Sequence, residues 1–252
     1  MFIACCMALV LTSCKKDNDR GKSPEPASVS TTATTRTNAI TQKTEPTEPP
    51  VKYYTAAVVY AANGDTPIFA DNVHESISPA SMTKLMTACI ALKYMKPDDI
   101  VTVGSELGYV QPYSSMCNIL PNQKFTMYDL LTGLLLSSGN DAAYTIAVNT
   151  ARTAAANSAM TDSEAIEYFC GLMNQLAAEL EMTNTHFSTP DGWDHHQQLT
   201  TVHDLMKLAK YAVEIKEISE ITGVSINTAL GRMRYALINL RKMIKEHDIT
   251  LC

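Results

Sequence analysis

Ser81 and Lys84 stand three residues apart in the stretch Ser78-Pro-Ala-Ser-Met-Thr-Lys-Leu-Met-Thr-Ala88. On a helix, side chains at that spacing share a face, so a hydroxyl and an amine can come into contact. A lysine desolvated by apolar neighbours holds its proton less tightly and can act as a base toward the hydroxyl. A serine at a helix N-terminus also sits beside backbone N–H groups without intrahelical partners, which favour a developing oxyanion. Taken alone, the same pair fits a helix-capping serine followed by a surface lysine. A second polar group, Ser138-Gly139-Asn140, lies downstream where a long apolar run breaks, and supplies another hydroxyl and an amide.

Holding these groups together requires a buried helix and a well-placed break. Leu85, Met86, Cys89, Ile90 and Leu92 make the segment from Ser81 to Met95 apolar nearly all round, as in a helix at a domain centre. Residues 125–151 read as two helical segments interrupted at Ser137-Ser138-Gly139-Asn140, with Thr126 and Asp129 as a helix-start box. Between Ser163 and Leu180, Ile166, Phe169, Leu172, Met173, Leu176 and Leu180 recur at helical spacing, and another helix is expected from Thr201 to Val213. Ahead of these helices, Tyr53 to Ala70 reads as two strands around Asn63-Gly64, with Pro67 marking the second as an edge strand. The intervening stretch from Lys96 to Lys124 is polar, contains Gly, Pro and Ser, and is assigned no element.

Ser-x-x-Lys followed by a Ser-x-Asn triplet is a pairing found in penicillin-binding proteins and related β-lactamases. The stretches SPASMTKLMTA and LLLSSGNDAA, in this order, resemble the serine-type D-alanyl-D-alanine carboxypeptidases, the low-molecular-weight penicillin-binding proteins. NTHFSTPDGWDHHQQLTTVHDLMKLAKYAV resembles the stretch that follows in that family, so the resemblance covers about Tyr53 to Val213. It implies Ser81 as acyl-enzyme nucleophile, Lys84 as its base, Ser138 as proton relay to the leaving D-alanine amine, and Asn140 as a hydrogen-bond partner of the substrate amide. The implied partners are peptidoglycan stem peptides and β-lactams, with no metal and no cofactor. The implied fold is α+β, of the β-lactamase/transpeptidase type, with a helical cluster against an antiparallel sheet.

The family's third element, Lys-Thr-Gly, occurs nowhere in the sequence. In the family that triplet lies on a strand lining the cleft, where it binds the substrate carboxylate and supplies an oxyanion N–H. Losing one oxyanion donor costs about a hundred- to a thousandfold in rate. The fold is therefore expected to be truncated to the helical cluster plus the N-terminal hairpin, and turnover to be impaired. The apolar strand TAAVVYA would then have an exposed edge and face, a site for aggregation.

His195 and His196 are adjacent, so they face different ways, and no acidic ligand pattern accompanies them; a polar loop is the simpler account. Trp193 is expected to pack at the turn after Pro190-Asp191-Gly192. The net charge of -6 and pI near 5.5 argue against a protein that binds nucleic acid over its whole surface. Of seven cysteines, Cys89, Cys117, Cys170 and Cys252 are scattered without metal or disulfide-framework spacing, and Cys89 reads as a small core residue.

Both ends differ in character from the middle. Met1 to Leu11 is almost wholly apolar, too short to span a bilayer comfortably, and ends in Leu11-Thr12-Ser13-Cys14. That resembles a bacterial lipoprotein signal, in which residues 1–13 would be removed and Cys14 lipidated, anchoring the chain to the outer side of a membrane; a buried N-terminal strand or helix is the other account. Residues 14–50 are rich in Ser, Thr and Pro and read as a disordered tether, ahead of the partial transpeptidase-like domain at 51–213. Residues 214–252 read as a helix-turn-helix, with a short helix at Glu217 to Thr222, a turn at Gly223-Val224-Ser225, and a second helix from Ile226 to Ile244. GVSINTALGRMRYA resembles the promoter-reading end of bacterial RNA polymerase sigma factors, which would make Asn227, Thr228, Arg232 and Arg234 candidate DNA contacts. An amphipathic helical hairpin is the other account, since Ile226, Leu230, Met233, Leu237 and Leu240 form a core-type stripe. Lipid anchoring and promoter reading belong to opposite sides of a membrane, so a chimera joined near Val213 to Lys216 is expected. The two function classes that follow are a carboxypeptidase or penicillin-binding module, and a DNA-binding fragment in which nucleic acid is a partner only if the C-terminal segment works.

Overall fold

The computed structural model describes residues 54–60 and 66–223. Cys14, the Asn63-Gly64 turn, Asn227, Thr228, Arg232 and Arg234 lie outside them. Within that range the chain is mixed α+β, mostly helical with small antiparallel sheets.

Strands β1 (Ala57–Tyr60) and β2 (Pro67–Asp71) pair antiparallel, with Ala57 opposite Asp71 and Val59 opposite Phe69, as the flanking apolar runs suggested. A short 3₁₀ turn (Ala80–Met82) leads into helix α1 (Thr83–Tyr94), whose buried residues run all round it: Lys84, Met86, Thr87, Ala88, Cys89, Ile90 and Ala91 among them. Cys89 is a core residue, and burial pushes its thiol up to about 12. Strands β3 (Ile100–Thr102) and β4 (Lys124–Thr126) form a second antiparallel ribbon that joins the two ends of the stretch assigned no element and takes Phe125 and Thr126 from the segment read as helical. Each is only three residues long, too short for an alternating pattern to register.

Helices α2, α4 and α5 begin where a side chain satisfies one of their first N–H groups. Thr126 and Asp129 form a reciprocal capping box at α2 (Met127–Leu136), and Thr161 and Glu164 form another at α4 (Asp162–Glu179). The Thr201 side chain accepts from Asp204 N–H at the start of α5 (Val202–Val213). Helix α3 (Asn140–Ala154) follows α2 after a break in which Ser138 takes φ 56°, a left-handed value uncommon outside glycine. Helix α6 (Lys216–Thr222) ends at Gly223, also left-handed at φ 60°.

Helix α1 lies at the centre, touching α2, α3, α4 and α5, and the main core gathers Met86, Ile90, Leu131, Leu134, Ile146, Phe169 and Met173 with the aliphatic side chains around them. Ile218 and Ile221 of α6 belong to this core, so the chain stays packed across the segment from Val213 to Lys216. The hairpin uses a second, smaller cluster: Ala56 and Val58 are buried against Val202 and Met206. This corrects one expectation, because the apolar run from Ala56 to Val58 has a covered face; the large exposed apolar side chains on β2 are Ile68 and Phe69. Among the described residues no helix is long and apolar enough to cross a membrane.

Candidate active site

The site is built where the 3₁₀ turn, the α2–α3 break and the loop 188–193 converge. Ser81 is exposed, and Lys84, one turn on, is buried behind it. Lys84 Nζ donates to Ser81 Oγ at 3.0 Å and to the backbone carbonyl of Asp191 at 2.7 Å. Burial lowers the Lys84 amine from its ordinary 10.5 to about 8, with the opposing charge of Asp191 limiting the fall. Ser138 Oγ donates to Ser81 Oγ, also at 3.0 Å. Two hydroxyls and an amine are thus joined in one chain of hydrogen bonds, with the exposed Ser81 oxygen as the shared member.

Two features differ from the sequence expectation. Ser81 precedes α1 rather than opening it, and its neighbours' N–H groups are occupied: Met82 donates to Pro79 and Thr83 to Ala80. These two N–H groups are therefore taken by the 3₁₀ turn itself. Trp193, expected to pack at this turn, is 41% exposed.

Asn140 opens α3 and is buried; its backbone N–H donates to Ser115 O at 2.8 Å, and its side-chain Nδ2 to Asp191 Oδ2 at 2.7 Å. Gly139 makes room for Cys117, because a Cβ at that glycine would lie 2.1 Å from Cys117 Sγ. The next residue, Asp141, is fully buried and accepts the N–H groups of Cys117 and Ile119, pinning their loop over the break. Burial, and then the nearby Asp141 charge, push the Cys117 thiol up to about 11, so it is a neutral packing group beside the site.

Sequence inspection singled out Ser81, Lys84, Ser138 and Asn140, and the structure brings all four together. It missed Asp191 and the residues that hold it. Thr87 Oγ1 donates to Pro190 O at 2.6 Å. Gln198, fully buried, accepts at Oε1 from the N–H groups of Ser188 and Thr189 and donates through Nε2 to Trp193 O. Gly192 has φ 86° and presses against the turn that carries Ser81: a Cβ there would sit 1.9 Å from Ala80 O. The signal available in the sequence was Pro190-Asp191-Gly192, a turn tripeptide whose importance lies in contacts far along the chain. His195 and His196 lie ring to ring at 4.4 Å in the loop just beyond it.

Comparison with known proteins agrees with this geometry. Residues 42–251 match the family described as D-alanyl-D-alanine carboxypeptidase. The chain is 34% identical over 148 residues to the D-alanyl-D-alanine carboxypeptidase DacC of Escherichia coli, a match covering 55% of this chain and 34% of that protein. It is 25% identical over 197 residues to DacF of Bacillus subtilis, covering 75% of this chain and 47% of that one. The chain therefore spans about a third to about half the length of these curated relatives. Among solved structures, the Streptomyces K15 DD-transpeptidase superposes with a TM-score of 0.58 at 30% identity, over 64% of this chain and 60% of that one. The family match runs across the segment read as sigma-like, and none of these likenesses supports that reading.

Proposed function

The chain belongs to the D-alanyl-D-alanine carboxypeptidase family, and on that premise we propose that it removes the terminal D-alanine from peptidoglycan stem peptides through a serine acyl-enzyme. The observation that carries this reading is the hydrogen-bonded chain Lys84 Nζ–Ser81 Oγ–Ser138 Oγ, with an exposed oxygen in the middle and a desolvated amine at one end. Neutral Lys84 takes the Ser81 proton as Oγ attacks the carbonyl carbon of the penultimate D-alanine. As the tetrahedral intermediate collapses, the carbon–nitrogen bond breaks, and the proton passes from Lys84 through Ser138 to the departing amine. Water then cleaves the Ser81 ester. A β-lactam enters the same route by ring opening and leaves its acyl group on Ser81. Asn140 hydrogen-bonds the substrate amide.

Two finer points belong to the same proposal. These 252 residues hold no Lys-Thr-Gly triplet, and taken by themselves they should acylate and turn over slowly for want of a carboxylate clamp and an oxyanion donor. Cys14 carries a lipid anchor that places the domain outside the cytoplasmic membrane, as a bacterial lipoprotein. Radiolabelled palmitate incorporated by the wild-type chain and lost in Cys14→Ser supports the anchor; equal incorporation in both contradicts it. For the catalytic proposal, a fluorescent penicillin should label the wild-type chain covalently and fail to label Ser81→Ala. Equal labelling of both chains, or none of the folded wild type, contradicts the role given to Ser81.

A further inference from the structure

Asp191 is 1% exposed and stands outside the four residues assigned to the reaction. Its backbone carbonyl, which receives Lys84, is a group that any residue at this position would supply. Its carboxylate makes contacts that few others could. Oδ2 accepts from Asn140 Nδ2 at 2.7 Å, while Oδ1 accepts from the Trp193 N–H at 3.0 Å.

An ionised carboxylate can only accept hydrogen bonds, whereas an asparagine amide donates at one end and accepts at the other. The planar amide of Asn140 has two flipped orientations of similar shape, and hydrogen-bond partners decide between them. Opposite the Asp191 carboxylate, the amide nitrogen must face Asp191 and Oδ1 must face away. Resting on the reading of Ser81 as nucleophile, we propose that Asp191 is a positioning residue: its carboxylate locks the Asn140 amide in the one orientation in which its remaining N–H and its Oδ1 meet the substrate amide during acylation.

Both partners of this contact are themselves held. The Asn140 backbone is tied to Ser115 at the first turn of α3. Asp191 is tied to α1 through Lys84, to Gln198 through the flanking loop, and against Ala80 through Gly192. A contact between two fixed backbones can set an orientation, which one between mobile side chains cannot.

Asparagine at position 191 would keep the backbone carbonyl for Lys84 but offer one acceptor oxygen to two donors, Asn140 Nδ2 and the Trp193 N–H. It would also remove a negative charge. The titratable groups around that charge are Lys84, with Cys117 beyond it, and Tyr144 and Cys170, whose hydroxyl and thiol are both pushed up by burial first and Asp191 second. Asp191 opposes the effect of burial on Lys84, so its loss moves the acidic limb of the acylation profile to lower pH.

The test is a double-mutant cycle on the full chain, reading the second-order rate of acylation by a fluorescent penicillin in wild type, Asp191→Asn, Asn140→Ala and the double variant. Positioning predicts that Asp191→Asn slows acylation about ten- to a hundredfold in the wild-type background. In the Asn140→Ala background it should slow it by less than about twofold, since the group it acts through is gone. The acidic limb of Asp191→Asn should also lie below that of wild type. Equal effects in both backgrounds, or a rate within twofold of wild type, overturn the proposal. Should Asp191→Asn fail to fold, nuclear magnetic resonance of the ¹⁵N-labelled wild type reads the same contact. One side-chain amide proton of Asn140, assigned by its absence in Asn140→Ala, should be shifted downfield and slow to exchange. A solvent-averaged pair overturns the proposal. Wild type that takes no label would instead refute the role of Ser81 itself; a labelled wild type with an unaffected Asp191→Asn refutes this inference alone.

Discussion

Lys84 Nζ lies 3.0 Å from Ser81 Oγ while the lysine is 2% exposed, so an amine and a hydroxyl meet across the boundary between core and surface. That position explains how an amine can accept a proton at near-neutral pH. Burial destabilises the ammonium form, and its remaining contacts, a hydroxyl and a backbone carbonyl, are neutral.

The pH dependence of acylation follows directly. Lys84 must be neutral to take the Ser81 proton, and its amine is held at about 8. Stopped-flow labelling with penicillin should therefore give a rate that rises with pH to a plateau above about 8. Below that point it should fall about tenfold per pH unit.

Lys84→Met should abolish labelling without a loss of Tm at pH 7, because the variant buries no charge. The sign of its pH dependence is fixed by the lowered folded value: unfolded lysine keeps its proton to 10.5, folded Lys84 only to about 8. Wild type thus gains stability relative to the variant as pH rises between these values, and thermal melts from pH 7 to 10 should show the gap narrowing.

Ser138 combines a hydroxyl in the site with a left-handed backbone at φ 56°. Ser138→Ala and Ser138→Gly both remove the hydroxyl proposed as the relay, and each should slow acylation by about a hundredfold or more. They should differ in stability: glycine tolerates this backbone and alanine does not, so Ser138→Gly should be about 1 kcal/mol more stable than Ser138→Ala by denaturant titration.

Gly192→Ala introduces a Cβ 1.9 Å from Ala80 O at a φ that favours glycine. The loop must withdraw from the 3₁₀ turn, taking the Lys84-binding carbonyl of Asp191 with it. A loss of about 2 kcal/mol or more in stability should accompany near-complete loss of labelling.

What the sequence made legible was local. The Thr126–Asp129 capping box, the all-round apolar α1 and the break at Ser138 are each written within a few consecutive residues, and each stands where expected. Asp191 was not legible, because its role comes from contacts 107 residues away to Lys84 and 51 residues away to Asn140. Gln198 was hidden for the related reason that its partners are backbone groups, which carry no residue identity. The ribbon of β3 and β4 escaped because three-residue strands have too little pattern to be seen.

Ser81 as a nucleophile activated by Lys84 is open to direct chemical test. Peptide mapping by mass spectrometry of the full chain after exposure to penicillin locates the acylated side chain. One penicilloyl adduct is expected, on the peptide containing Ser81, and absent from Lys84→Met. An adduct on another residue, or an adduct on Ser81 that persists undiminished in Lys84→Met, would contradict it.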